Sequence, residues 1–150
     1  MKQLPNFTLQ GIDSQGVEKT YTNKDFLGKK LVIYFYPKDN TPGCTKEACS
    51  FNAILPQILG LANIVGVSGD SISSHKKFRE NYSLAFPLLA DANLNLAAGL
   101  GALKDSSEGE AKKISRSTFI IDEKGNVIKD WKSVKVDGHD MDVLSELKRF

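Results

Sequence analysis

The sequence predicts an α/β protein with a mixed central sheet, helices on both faces and an N-terminal β-hairpin. Three observations carry this. Leu31–Tyr36 is a near-continuous run of apolar, β-branched and aromatic residues, the composition of a strand buried on both faces. Ile64–Ser68 and Ser117–Ile121 have the same character. Helix-like stretches bounded by Gly, Pro and Asn alternate with these strands, the pattern of a sheet covered by helices.

Each element follows in order. Phe7–Leu9 and Val17–Thr20 flank Asp13-Ser14-Gln15-Gly16, a turn sequence that predicts the opening hairpin. After the Leu31–Tyr36 strand, a helix is expected from Pro42 to about Ile58. Thr41 is placed to cap it and Pro42 fits its first turn, while Pro56 is placed to kink or shorten its end. A second helix is expected from Ser71 to Tyr82, with Ile72, His75, Phe78 and Tyr82 on one side. A short one is expected near Leu94–Ala98. Lys104–Lys113 is polar and reads as an exposed loop. Asp122-Glu123-Lys124-Gly125-Asn126 predicts an antiparallel return into Val127–Trp131. The last helix, Met141–Phe150, aligns Val143, Leu144 and Leu147 on one face. Phe78, Tyr82 and Phe86 are expected in the core, and Trp131 is read as a packing residue. The order fits a thioredoxin-like fold, while leaving other α/β folds open.

Composition bounds the function. A chain of 150 residues suits a single domain, here 1–150. A formal charge of +2, with lysines scattered and no basic groove interleaved with aromatics, argues against nucleic acid as a partner. No segment approaches the ~18 apolar residues of a membrane span, and Met1–Asn6 shows no apolar leader, so a cytoplasmic protein is expected. His75 and His139 are far apart and there is no Cys-x-x-Cys, so no metal is expected. Gly99-Leu100-Gly101 lacks the rest of a dinucleotide fingerprint, and no cofactor is expected.

The two cysteines, Cys44 and Cys49, are too few for a disulfide scaffold. A bridge between them would close a tiny loop and stabilise little, so chemistry is the better motive for any pairing. Cys44 falls in the first turn of the expected helix, directly after the central strand. There the backbone N–H groups lack intrahelical acceptors and the helix dipole is positive, which favours negative charge on sulfur. Thr41 is placed to aim its hydroxyl at the sulfur and at a bound oxygen. Gly43 leaves room for close approach, and Pro37 and Pro42 stiffen the loop and can shield the sulfur. A free cysteine commonly packs as a small hydrophobe; the strand–loop–helix setting and the nearby second cysteine argue against that here.

Pro37, Thr41 and Cys44 reproduce the Pro-x-x-x-Thr-x-x-Cys pattern of peroxiredoxins. The segments Tyr34–Lys38, Thr41–Cys49, Gly66–Ser68, Ser74–Phe78, Phe86–Asp91 and Arg116–Asp122 resemble, in order, the bacterioferritin-comigratory-protein or peroxiredoxin Q branch. The resemblance implies a thiol peroxidase with Cys44 as peroxidatic and Cys49 as resolving cysteine. It also implies that Arg116 holds the thiolate and polarises the peroxide, a role suited to a fixed fork of donors that never deprotonates. Glu47, one helical turn after Cys44, either orients the arginine or faces solvent. Thioredoxin or a glutaredoxin is the reductant the resemblance implies, and a monomer the expected state. Phe51-Asn52-Ala53 and Gly99–Ala102 depart from the branch pattern, which bears on surface contacts and partner choice. Two other readings fit the cysteine pair less well. A general disulfide reductase lacks its dithiol here, because Thr41 stands where the first cysteine would be. A redox sensor would turn over slowly and bind a partner according to oxidation state.

A geometric consequence follows from the implied pairing. Helical residues five apart lie roughly 8–9 Å apart at Cα, beyond the limit of about 7 Å for a disulfide. The helix must therefore unwind locally before Cys49 can reach Cys44. Amide hydrogen exchange between Thr41 and Phe51 is expected to be faster in the oxidised protein; equal protection in both redox states contradicts this.

Overall fold

Alternation along the central strand sets the layers. The computed structural model describes residues 2–104 and 113–150; most of the expected polar loop, residues 105–112, lies outside the described residues. Strand β3 (Leu31–Phe35) is buried throughout. Its odd-numbered residues Leu31, Ile33 and Phe35 enter one core and Val32 and Tyr34 the other, as the two-residue period of a strand requires.

Around it lie β1 (Thr8–Ile12), β2 (Glu18–Thr22), β4 (Asn63–Ser68), β5 (Leu88–Ala90), β8 (Ser117–Ile121) and β9 (Val127–Trp131) in the order β2-β1-β5-β4-β3-β8-β9. β3 and β5 are parallel to β4, while the β1/β2, β1/β5, β3/β8 and β8/β9 pairs are antiparallel, so the sheet is mixed as expected. Both hairpins turn on an aspartate. Asp13 Oδ1 accepts from the Gln15 and Val17 amides, and Asp122 Oδ1 from the Lys124 and Asn126 amides. Gly16 and Gly125 supply positive φ angles of 83° and 90°. A separate two-stranded ladder joins β6 (Leu103–Lys104) to β7 (Lys113–Ile114).

One face of the sheet is covered by α1 (Pro42–Ala53), α2 (Leu55–Leu59), α3 (Ile72–Tyr82) and α5 (His139–Arg149). They contribute Ala48, Phe51, Ile58, Phe78, Val143, Leu144 and Leu147 to a core that includes Tyr34 and Ile120. The other face packs against Leu96, Ala97 and Leu100 of α4 (Asn95–Leu100) and Phe26 of a 3-10 turn. Among the described residues no helix is long and apolar enough to cross a membrane.

The structure differs from the sequence reading at four points. The helix expected over Pro42–Ile58 is two, broken at Ile54, because Pro56 lacks an N–H and its ring would collide with the carbonyl four residues back. β5 leaves no mark in the sequence pattern, because at three residues it is too short to show a period. Helix α5 begins at His139, two residues early, after Gly138 at φ 79°. Tyr82 lies outside the core with 39% of its surface exposed, its ring only edging onto Phe78.

Candidate active site

The register of β3 against β8 assembles the site. Phe35 pairs with Ser117, so the chain leaving β3 towards α1 starts beside the residue that enters β8. That residue is Arg116. Two segments 72 residues apart thereby meet, and the Arg116 Nη2 lies 3.3 Å from Cys44 Sγ. The same guanidinium donates from Nη1 to Glu47 Oε1 at 2.7 Å. Cys44 is only 1% exposed, and both cysteines are free thiols.

Helix α1 opens with Pro42 at its first position after Thr41 at the cap. Cys44 is thus the third helical residue, and the Gly43 and Cys44 amides have no acceptor within the helix. Those donors, the positive end of the helix dipole and the Arg116 cation therefore all lie at the Cys44 end of α1. Gly43 earns its place through Arg116 rather than through general openness: a Cβ there would lie 3.1 Å from Arg116 Nη2.

Thr41 holds the cap position through its backbone, whose carbonyl accepts from Thr45 N. Its hydroxyl donates to the Lys38 carbonyl at 2.8 Å instead of bonding the helix, which leaves its lone pairs as acceptors. Pro37 and Pro42 are exposed on the outside of the loop, where their fixed φ limits its freedom. Cys49 is half-buried further along the same unbroken helix.

Glu47 resolves in favour of orienting the arginine: its side chain is 2% exposed and pairs with Arg116. Burial pushes its carboxyl up to about 7 despite the opposing pull of Arg116, and Oε2 has no partner among the described residues. Arg116 stays charged. Partial burial works against the charge, but the Glu47 carboxylate and the Cys44 sulfur more than offset it. Trp131 packs edge-on to His139 with ring centroids 5.4 Å apart. His139, buried between Trp131 and Phe51 and bonded to Thr118 Oγ1, is pushed by that burial down to about 4.

One arrangement escaped sequence reading. Asp39 and His75 meet in a buried cluster beneath the loop, 36 residues apart in sequence. The only sequence signal was the helical spacing that puts His75 on the same side as Phe78.

The arrangement resembles known proteins. The profile of the AhpC/TSA family matches residues 1–130. The chain is 42% identical over 150 residues to peroxiredoxin Bcp of Bacillus subtilis, covering 98% of this chain and 93% of that one. Peroxiredoxin Q of Xanthomonas campestris superposes with a TM-score of 0.87 at 41% identity, covering 95% of this chain and 90% of that one. Bacterioferritin comigratory protein of the same bacterium, described in trapped intermediate and ligand complexes for its alkyl peroxide reduction activity, gives 0.86 at 40% identity with the same coverage.

Two buried groups oppose each other in pH dependence. Glu47, raised from 4.5 to about 7, favours the fold below pH 4.5, and that contribution is lost as pH rises to about 7. His139, lowered from 6.5 to about 4, favours the fold above pH 6.5 and loses this as pH falls to about 4. Glu47→Gln removes the first contribution, about 3 kcal/mol. In urea titrations the variant should therefore lose stability on acidification more steeply than wild type. Parallel pH profiles for the two proteins contradict the assignment.

Proposed function

The chain belongs to the AhpC/TSA family, and to its bacterioferritin-comigratory-protein or peroxiredoxin Q branch, and from that membership we propose that its peroxidase chemistry runs through Cys44, with Cys49 as the resolving thiol. It is a thiol peroxidase of thioredoxin-like fold, reducing peroxides at the expense of thiols. The observation that carries the assignment of Cys44 is the contact between Arg116 Nη2 and its sulfur.

In the first step the Cys44 thiolate attacks one peroxide oxygen. The O–O bond breaks, an S–O bond forms, and the leaving oxygen takes a proton to depart as water or an alcohol. Sulfur is oxidised by two electrons to the sulfenic acid and the peroxide is reduced by two. Arg116 serves here twice. Its fork faces the sulfur before the reaction and can follow the negative charge onto the leaving oxygen as the bond breaks. Glu47 holds the fork in plane by a buried bond. Thr41 has lone pairs free to accept the hydroperoxide proton, because its own hydrogen is committed to Lys38. Pro37 restricts the loop that carries both residues.

In the second step the Cys49 thiol condenses with the Cys44 sulfenic acid, releasing water and forming a disulfide. Reaching it requires the local unwinding of α1 derived above. Thioredoxin or a glutaredoxin then restores both thiols by exchange through a mixed disulfide. With both cysteines on one chain, the cycle needs no second subunit, which supports a single-domain monomer. Its dependence on a reduced dithiol pool supports the cytoplasm as its setting.

The test is thioredoxin-coupled consumption of hydrogen peroxide and cumene hydroperoxide. Cys44→Ser should lose all activity. Cys49→Ser should reduce about one equivalent and then stop. Activity retained by Cys44→Ser would overturn the assignment.

A further inference from the structure

Beneath the loop that carries Cys44 lies a polar cluster that the peroxidase cycle does not use. Asp39, five residues before Cys44, is 5% exposed, and His75 of α3 is wholly buried. The Asp39 carboxylate receives three donors: Tyr36 Oη at 2.6 Å, Ser74 Oγ at 2.8 Å and His75 Nδ1 at 2.7 Å. The far ring nitrogen, Nε2, lies 2.9 Å from the Leu89 carbonyl oxygen. The Asp39 amide donates to Asp70 Oδ2 at 2.7 Å, and the same oxygen accepts from Ser68 Oγ at 2.8 Å.

The donor inventory fixes one proton and shares another. A backbone carbonyl only accepts, so Nε2 must carry a hydrogen. One proton lies between Nδ1 and the Asp39 carboxyl. The two hydroxyls that donate to that carboxyl favour placing it on nitrogen, which makes the ring an imidazolium neutralised by Asp39. Asp70, through the Asp39 amide, is the other carboxylate bonded into the cluster, and Phe78 and Tyr36 supply its apolar walls.

We propose that Asp39 and His75 form a buried carboxylate–imidazolium pair that positions the Cys44 loop for attack on peroxide; this rests on Cys44 being the nucleophile. The pair ties the loop to α3 and to β5, and the Asp39 amide ties it to the end of β4. None of these anchors lies in α1. When α1 unwinds to let Cys49 approach, Asp39 and Asn40 stay fixed, and the movement is confined to the residues from Thr41 onward. Asn40, held at φ 62° and bonded from Asn81 of α3, continues the same attachment one residue closer to the sulfur. An anchor of this kind acts on the first chemical step, because a small displacement of the sulfur from Arg116 costs rate steeply. Asp39 and His75 are positioning residues: neither is within reach of the reacting atoms except through the loop.

The test uses the full chain with Cys49→Ser, so that only the first step is followed. Stopped-flow oxidation of Cys44 is compared with Asp39→Asn and His75→Phe, alongside the 15N resonances of His75 and thermal melting. Both ring nitrogens of His75 should show protonated shifts in the reduced protein, and one should lose its proton in Asp39→Asn. Both variants should slow the first step by at least about tenfold while still melting cooperatively. If Asp39→Asn does not fold, Tyr36→Phe, which removes one donor from the same carboxylate, carries the kinetic arm with a smaller loss. A nitrogen without its proton in the reduced protein overturns the proposal, as do rates within about twofold of the parent in the folded variants. Absence of any first step in the parent protein itself would instead defeat the assignment of Cys44.

Discussion

The Arg116 guanidinium, held between Cys44 and Glu47, is the interaction on which the site depends. Arg116 stands just ahead of β8, and Cys44 and Glu47 lie one turn apart on α1. Only the antiparallel register of β3 with β8 brings them together. The pairing is also costly to break. Glu47 is buried with one oxygen unpartnered among the described residues, so losing Arg116 would leave a carboxyl without compensation in the core, a change worth several kcal/mol in comparable settings. Gly43 completes the arrangement by leaving space where any side chain would press on the guanidinium.

In the proposed cycle helix α1 has two jobs that conflict. Its first turn must be in place to surround the sulfur with donors, yet its body must open for Cys49 to reach Cys44. The helix is built to tolerate this. Its cap residue makes no side-chain bond to the first turn, Ser50 bonds back to the Lys46 carbonyl, an arrangement that slightly weakens a helix, and Pro56 prevents it from joining α2. The anchors that hold Cys44 ahead of the helix lie outside it. A fixed loop followed by a helix of modest stability suits the proposed cycle, in which the same cysteine is first placed for peroxide and then available to its partner thiol.

Much of this was legible in the sequence, for identifiable reasons. β3, β4 and β8 announce themselves because strands buried on both faces are made mostly of apolar, β-branched and aromatic residues, and both hairpins because Asp13 and Asp122 carry turn chemistry. Thr41-Pro42 marked the start of α1, and Pro37, Thr41, Cys44 and Arg116 carried the family pattern. What could not be read was set by tertiary contact. β5 has only three residues and exists because β1 and β4 flank it. Glu47 has the same sequence spacing whether it faces solvent or core, and burial decided the matter. Asp39 and His75 meet only after α3 docks beside the loop, and no local signal records that.

The central claim is that Arg116 activates Cys44 through a fixed guanidinium fork, and Arg116→Lys tests it most directly, since it keeps the charge and removes the fork. Single-turnover oxidation of Cys44 by hydrogen peroxide should slow by about 100-fold or more, with Arg116→Met no faster and both proteins folded. Arg116→Lys reacting at close to the wild-type rate would contradict the account and show that charge alone suffices.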